Sequence, residues 1–166
     1  MCSSDLLPER PFAWIACDLD RFKAVNDTFG HAAGDTVIRT VAERLRELVG
    51  SAGTIGRIGG DEFVVLVSAF CDPARLTVLA AEISAAVRAP IPLSDGSETD
   101  VGVSLGIAIV DTAGIGAAEI ASRADAALYR AKQRGRGCFV FAHDHTEPGD
   151  GSPPAREATT EAGRAA

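Results

Sequence analysis

No apolar run in the chain approaches the roughly 20 residues needed to span a bilayer. Residues 1–11 lack both the basic and the apolar region of a secretory signal. The four cysteines, Cys2, Cys17, Cys71 and Cys138, are scattered, with no CxxC pair among them. Cys17 and Cys138 fall in apolar, strand-like runs, which predicts reduced core thiols in a cytoplasmic protein. Positive charge is also scarce. Sixteen Lys and Arg against 23 Asp and Glu leave a net charge of −7, which argues against a nucleic-acid polymer as partner, since no basic stripe offsets a phosphate backbone. That balance leaves room for a single nucleotide held by a metal and a few local cations. Asn26-Asp27-Thr28 matches the glycosylation sequon, which means nothing without secretion.

What is present is an ordinary soluble composition, 46% apolar and 23% charged, in 166 residues, enough for one domain with a real core plus a tail. Its most informative string is Gly59-Gly60-Asp61-Glu62-Phe63, between the strand-like residues 54–58 and 63–67. Two glycines between two such runs predict a tight hairpin, with glycine supplying positive φ. No hairpin needs the acidic pair Asp61 and Glu62 at its tip. Adjacent carboxylates repel, and on a rigid turn they are better aimed at a cation than at water.

Residues 12–17 form a continuous apolar run, consistent with a strand buried on both faces and ended by Asp18-Leu19-Asp20. A short helix follows through Asn26 and stops at Phe29-Gly30. A longer one, from about residue 34 to 49, places Val37, Ile38, Val41, Leu45 and Leu48 on one face. Asp72-Pro73 starts a third helix, with Asp as N-cap and Pro at the first helical position. Its buried face is Leu76, Leu79, Ala80, Ile83 and Val87, and Pro90 and Pro92 end it. Residues 91–93 suit a short edge strand, and residues 101–109 alternate with period two. Ile120, Ala124, Ala127, Leu128 and Ala131 mark a last helix before a strand at 138–141. The domain is expected over residues 11–142. The polar stretch 143–166 reads as a disordered tail. This order predicts an α+β fold: a mostly antiparallel central sheet flanked by helices, the palm-type relative of the ferredoxin-like fold.

If the first strand neighbours the hairpin, Asp18 and Asp61 converge. Two carboxylates and a backbone carbonyl such as that of Leu19 then offer hard oxygens of the kind Mg²⁺ prefers. Either motif alone would read as a strand end or a solvated turn. Together they favour a metal. Lys132 and Arg136, at the end of the last helix, either complement its dipole or meet phosphate, and Lys23 is equally ambiguous. Asn26 and Asp35 would by default be helix caps. The lone His31 reads as a structural hydrogen-bonder.

The string from Asp18 to His31, followed by Gly34-Asp35, resembles the DxDxFKxxNDxxGHxxGD signature of the GGDEF family, the diguanylate cyclases. Arg57-Ile58-Gly59-Gly60-Asp61-Glu62-Phe63 matches the family's hairpin. Ser104-Leu105-Gly106 is similar to its S(I/L)G strand, and the string from Arg123 to Lys132 with Gly135-Arg136 is similar to its RADxALYxAKxxGR helix. These blocks cover about residues 12–142 in the right order.

The resemblance implies that two GTP molecules, one on each of two facing domains, condense to cyclic di-GMP with release of two pyrophosphates. The homodimer would therefore be the enzyme. It further implies that Asp18, the Leu19 carbonyl and Asp61 hold Mg²⁺ or Mn²⁺. Glu62 would serve a second metal position or activate the ribose 3′-hydroxyl. Asn26 and Asp35 would read guanine, Ile38 would line the base pocket, and Phe22, Lys23, Lys132 and Arg136 would contact phosphates. Guanine offers two adjacent donors that one carboxylate can accept, and adenine does not.

Two family features have no counterpart. Residues 1–11 do not reproduce the DxLTGLxNR segment and helix that usually precede the first strand. Gly50-Ser51-Ala52-Gly53 stands where the product-inhibition RxxD would be, which argues against a cyclic di-GMP receptor. The alternative to the cyclase is a non-catalytic or truncated GGDEF module that binds GTP or a protein partner.

Overall fold

A strand buried on both faces needs cover on both sides, and the run that begins at Phe12 receives it. The computed structural model describes residues 11–110 and 115–142. Its elements are β1 (Phe12–Asp20), α1 (Phe22–Phe29), α2 (His31–Val49), a 3-10 turn (Gly50–Ala52), β2 (Gly53–Arg57), β3 (Glu62–Val67), α3 (Pro73–Arg88), β4 (Ile91–Pro92), β5 (Glu98–Thr99), β6 (Gly102–Val110), α4 (Ala117–Gln133) and β7 (Phe139–Phe141). Five strands form one sheet in the order β2-β3-β1-β6-β7, with β4 and β5 paired apart from it. All pairings are antiparallel except that of β6 with β7. This is the expected α+β sheet flanked by helices.

Period two divides the central strand between two cores. Ala13, Ile15, Cys17 and Leu19 pack with Val37, Val41 and Leu45 of α2 and Leu76 and Ile83 of α3. Phe12 and Ala16 pack with Ala108 and Val110 of β6 and with Ile120, Ala124 and Leu128 of α4 on the other side. Burial without a charged partner pushes the Cys17 thiol up to about 12, so it stays a protonated core group. One glycine sets how closely α4 can approach. A Cβ at Gly106 would overlap the Ala124 carbonyl oxygen and the Leu128 amide nitrogen, so the bare strand backbone is what admits the helix.

Helix α3 begins as its sequence dictates, with the Asp72 side chain accepting from the Arg75 amide at 3.0 Å. Its end is finished by another helix. Arg44 of α2 donates to the carbonyls of Ala86 (3.0 Å) and Ala89 (2.6 Å) through Nη1, and to that of Pro90 (2.7 Å) through Nη2. Prolines at 90 and 92 cannot continue the helix, so these carbonyls would otherwise depend on water. Arg44→Met keeps the apolar stem and removes all three bonds. It is expected to lower stability by about 2 kcal/mol, read from urea denaturation; an unchanged midpoint would show that water serves those carbonyls equally well.

Several boundaries differ from the sequence reading. β1 does not end at Cys17 but runs through Asp20, because Asp18, Leu19 and Asp20 keep their ladder partners on β6. α2 begins at His31 rather than at residue 34, since Gly30, at φ 83°, already makes the break. His31 itself is exposed. Residues 91–93 do contain a short strand, but its partner β5 is the polar pair Glu98–Thr99, which carries no apolar signal. The expected tail at 143–166 and Cys2 lie outside the described residues. Among those described, no helix is long and apolar enough to cross a membrane.

Candidate functional site

The register of β1 against β3 places Asp18 opposite Glu62, and the Leu19 amide donates to the Asp61 carbonyl at 3.1 Å. The acidic end of the central strand and the tip of the hairpin are therefore one locus. Asp18 points to the α4 side, where Lys132 Nζ donates to its Oδ2 at 2.6 Å. Burial holds the Asp18 carboxyl above the usual carboxylate range. The Lys132 hydrogen bond and charge pull the other way, and the negative charges of Asp61 and Asp20 add to the rise. Lys132 thus does more than complement the dipole of α4.

The hairpin is held by its own backbone and by one side chain. Ile58 and Gly59 amides donate to the Glu62 carbonyl, at 3.0 and 3.4 Å. Arg57 folds over the turn, donating through Nε to the Gly59 carbonyl (3.0 Å) and through Nη2 to that of Gly60 (2.8 Å). The expected role of the two glycines is not the observed one, because neither Gly59 nor Gly60 lies at positive φ. A Cβ at Gly59 would sit 2.7 Å from Glu62 Oε2, and nothing stands within 4 Å of one at Gly60. The turn therefore keeps its outer surface bare, where a ligand can approach the backbone.

Asp18, Asp61, the Leu19 carbonyl and Glu62 are hard oxygen donors of the kind Mg²⁺ takes. Among the described residues no three acidic, histidine or cysteine side chains stand together as a metal cage. The donors still fit such an ion, because the cation they call for is already represented: the Lys132 ammonium rests on the most buried of the carboxylates. A Mg²⁺ ion keeps several waters and takes only one or two carboxylates, so a complete protein cage is not required.

Asp20 belongs to the scaffold. It is 7% exposed, and its Oδ1 accepts from the Ser104 hydroxyl at 2.8 Å while Oδ2 accepts from the Gly137 amide at 2.9 Å. Residues 135–137 all have positive φ (111°, 68° and 63°), so the chain turns sharply after α4 and brings Gly137 to Asp20. Gly135 and Gly137 accept that conformation without strain. Arg136 bears it as a side-chain residue, and its Nε lies 4.0 Å from Asp20 Oδ1. The sequence reading placed Ser104 in the S(I/L)G strand and gave it no partner. Its signal was a lone hydroxyl inside an apolar strand.

On the other side of the hairpin, Asp35 and Ile38 share a cleft of about 360 Å³ with Arg39, Arg57 and Phe63. Neither α1 nor α2 carries a side-chain cap bond, so Asn26 and Asp35 are not the caps that position alone would suggest. Asn26 sits against Gly34, where a Cβ would overlap its Oδ1, and the Phe22 ring lies beside it. Asn26 does not line the cleft itself. Glu62 and Lys132 line a second cleft, of about 390 Å³, with Asp125 and Tyr129. Arg136 lines a third, of about 520 Å³. Lys23 is exposed on the first turn of α1 and lines none of these three clefts. Sequence reasoning missed Arg39, Arg57 and Phe63 as cleft residues.

The domain is therefore an α+β fold whose central strand ends in acid beside an acidic hairpin, with Lys132 on one side and an open cleft on the other. The chain belongs to the GGDEF family, described as the diguanylate cyclase GGDEF domain, whose model matches residues 4–138. It is 42% identical over 133 residues to the bifunctional diguanylate cyclase/cyclic di-GMP phosphodiesterase MucR of Pseudomonas aeruginosa, covering 80% of this chain and 19% of MucR. It is likewise 42% identical over 125 residues to the diguanylate cyclase TpbB of the same species, covering 75% of this chain and 29% of TpbB. The solved GGDEF domain of TpbB matches with a TM-score of 0.76 at 39% identity, covering 81% of this chain and 78% of that one. The GGDEF domain of DgcB from Caulobacter crescentus, solved in complex with c-di-GMP, matches with a TM-score of 0.74 at 29% identity, covering 81% and 79%. The chain thus spans less than a third of the curated relatives MucR and TpbB.

Proposed function

We propose that this domain is a diguanylate cyclase, which condenses two GTP molecules to cyclic di-GMP and two pyrophosphates between two facing copies. The observation that carries this reading is the single acidic locus of Asp18, Asp61 and Glu62 on adjacent strands, flanked by Lys132 and by a cleft holding Asp35 and Ile38. In it, the Asp35 carboxylate accepts guanine N1–H and N2–H, with Asn26 beside it, and Ile38 and Phe63 pack on the base. Leaving such an acceptor unpaired against adenine costs on the order of 10⁴ in selectivity at well-built sites. Phe22, on the first turn of α1, shapes the approach to the phosphates, and Lys23, Lys132 and Arg136 donate to them.

Asp18, Asp61, Glu62 and the Leu19 carbonyl would hold Mg²⁺ or Mn²⁺, which supplies charge stabilisation at the α-phosphate when bound. For Lys132 to reach a phosphate oxygen it must leave Asp18. Glu62, exposed at the start of β3, takes the proton of the 3′-hydroxyl as its oxygen attacks the α-phosphorus of the facing nucleotide, and the bond to pyrophosphate breaks. One domain positions one GTP, so both bond-forming steps need the pair of copies.

The test is a chromatographic assay for cyclic di-GMP after incubating the protein with GTP and Mg²⁺ at high protein concentration. A second reading, the non-catalytic module, is favoured by the Lys132–Asp18 pair, which already places a cation on the buried carboxylate. Folded protein that makes no product at any concentration would select it.

The raised pKa of Asp18 has a sign that can be measured. A proton stays on this carboxyl to a higher pH than on an ordinary aspartate, and a metal has to displace it. Mg²⁺ affinity is therefore expected to fall on acidification, starting at a higher pH than the usual aspartate range would give. Calorimetric titrations between about pH 4 and 7 would show it. An affinity flat across that interval would remove Asp18 from the ligand set.

A further inference from the structure

Guanine has two polar edges, and Asp35 can satisfy only one. Its N1–H and N2–H donors suit a carboxylate, while O6 and N7, on the adjoining edge, need donors. The same cleft supplies a cation for them. Arg39 follows Asp35 by four residues on α2, so both side chains stand on one helix face, and both line the cleft with Ile38 and Phe63. Among the described residues Arg39 makes no ion pair or side-chain hydrogen bond, not even with Asp35 one turn away.

The other cations in the cleft are less suited. Arg57 is occupied by the Gly59 and Gly60 carbonyls. Arg46 lies seven residues beyond Arg39, about 10 Å along the helix, too far to share one ring with Asp35.

We propose that Arg39 reads the O6/N7 edge of guanine while Asp35 reads the N1/N2 edge. The base is then gripped on adjoining sides by a cation and an anion one helical turn apart. The planar fork of arginine fits O6 and N7 as a bidentate donor. Adenine opposes both groups, presenting its N6 amine to the guanidinium and a bare N1 acceptor to the carboxylate. The proposal rests on the reading of this cleft as the guanine site, and it makes Arg39 a determinant of base choice alongside Asp35 and Asn26.

The test measures equilibrium binding of GDP, 7-deaza-GDP and IDP, none of which can both carry the full guanine face and release pyrophosphate, to wild type and Arg39→Met. Replacing N7 by carbon removes one acceptor from the edge assigned to Arg39, and IDP lacks the N2 amine assigned to Asp35. Wild type is expected to bind GDP about fivefold more tightly than 7-deaza-GDP, and Arg39→Met to bind GDP about tenfold more weakly with that preference gone. The GDP-to-IDP ratio should be the same in both proteins. Equal losses for GDP and 7-deaza-GDP in the variant would overturn the proposal, by showing Arg39 to be a remote charge. So would unaltered binding. Wild type that binds all three equally would overturn the guanine reading itself, and the assignment of Arg39 with it.

Discussion

Asp61→Ala is expected to abolish cyclic di-GMP formation, with a loss of about 10³-fold or more, while the fold survives. Metal stabilisation of phosphoryl charge is worth several kcal/mol, which sets that scale. The side chain lies on a turn whose structural bonds are all main-chain or belong to Arg57. The Asp61 carbonyl that accepts from Leu19 is untouched by the substitution. Stability should therefore stay within about 0.5 kcal/mol of wild type. Product chromatography and urea denaturation on the same preparation separate the two effects. Retained turnover would remove Asp61 from the site, and a lost fold would show the carboxylate to be structural.

Gly106→Ala carries the largest expected effect on stability. A single added methyl has no space, because the atoms it would meet are the α4 backbone at Ala124 and Leu128 rather than movable side chains. Helix and strand have to separate, and Ile120, Ala124 and Leu128 lose contact with Phe12, Ala16 and Ala108. Overpacking of this kind costs typically 1–3 kcal/mol, and backbone against backbone belongs at or above the upper end, about 3 kcal/mol. A fall in the urea midpoint measures it. The function should suffer with the fold, since α4 carries Lys132 to Asp18. An unchanged midpoint would mean that the helix has slack the structure does not show.

Where periodicity and end signals agree, the fold is legible without coordinates. The buried faces of α3 and α4 are the residues their helical spacing selects, and Asp72-Pro73 marks the start of α3. β1 shows where that stops. Asp18 and Asp20 look like a strand leaving the core, yet both are inside it. Asp20 is tolerated there only because Ser104 and Gly137, 84 and 117 residues away, hydrogen-bond its oxygens. A local pattern holds no trace of partners so distant. The hairpin glycines were legible as a turn, but the positive φ expected of them is absent, because neither Gly59 nor Gly60 adopts it.

The candidate site divides in the same way. Strand adjacency pointed to Asp18 and Asp61, and the family motif to Asp35, which physical reasoning alone would have left a cap. The uncapped start of α2 removes that objection. The pairing of Lys132 with Asp18 could not be foreseen, because a cation in the last turn of a helix has a sufficient explanation in the dipole.

The central position of β1 also orders events during synthesis. Its first neighbour is complete once residue 67 has been made, and its second only after residue 110. Asp18 waits longer still, for an ammonium encoded 114 residues downstream. At ribosomal speeds that interval is on the order of ten seconds. Throughout it the nascent chain carries its acidic cluster without the counter-charge that the finished domain provides. Among the described residues α4 is the last helix to emerge, and it supplies both the hydrophobic cover on one side of the sheet and the counter-charge at Asp18.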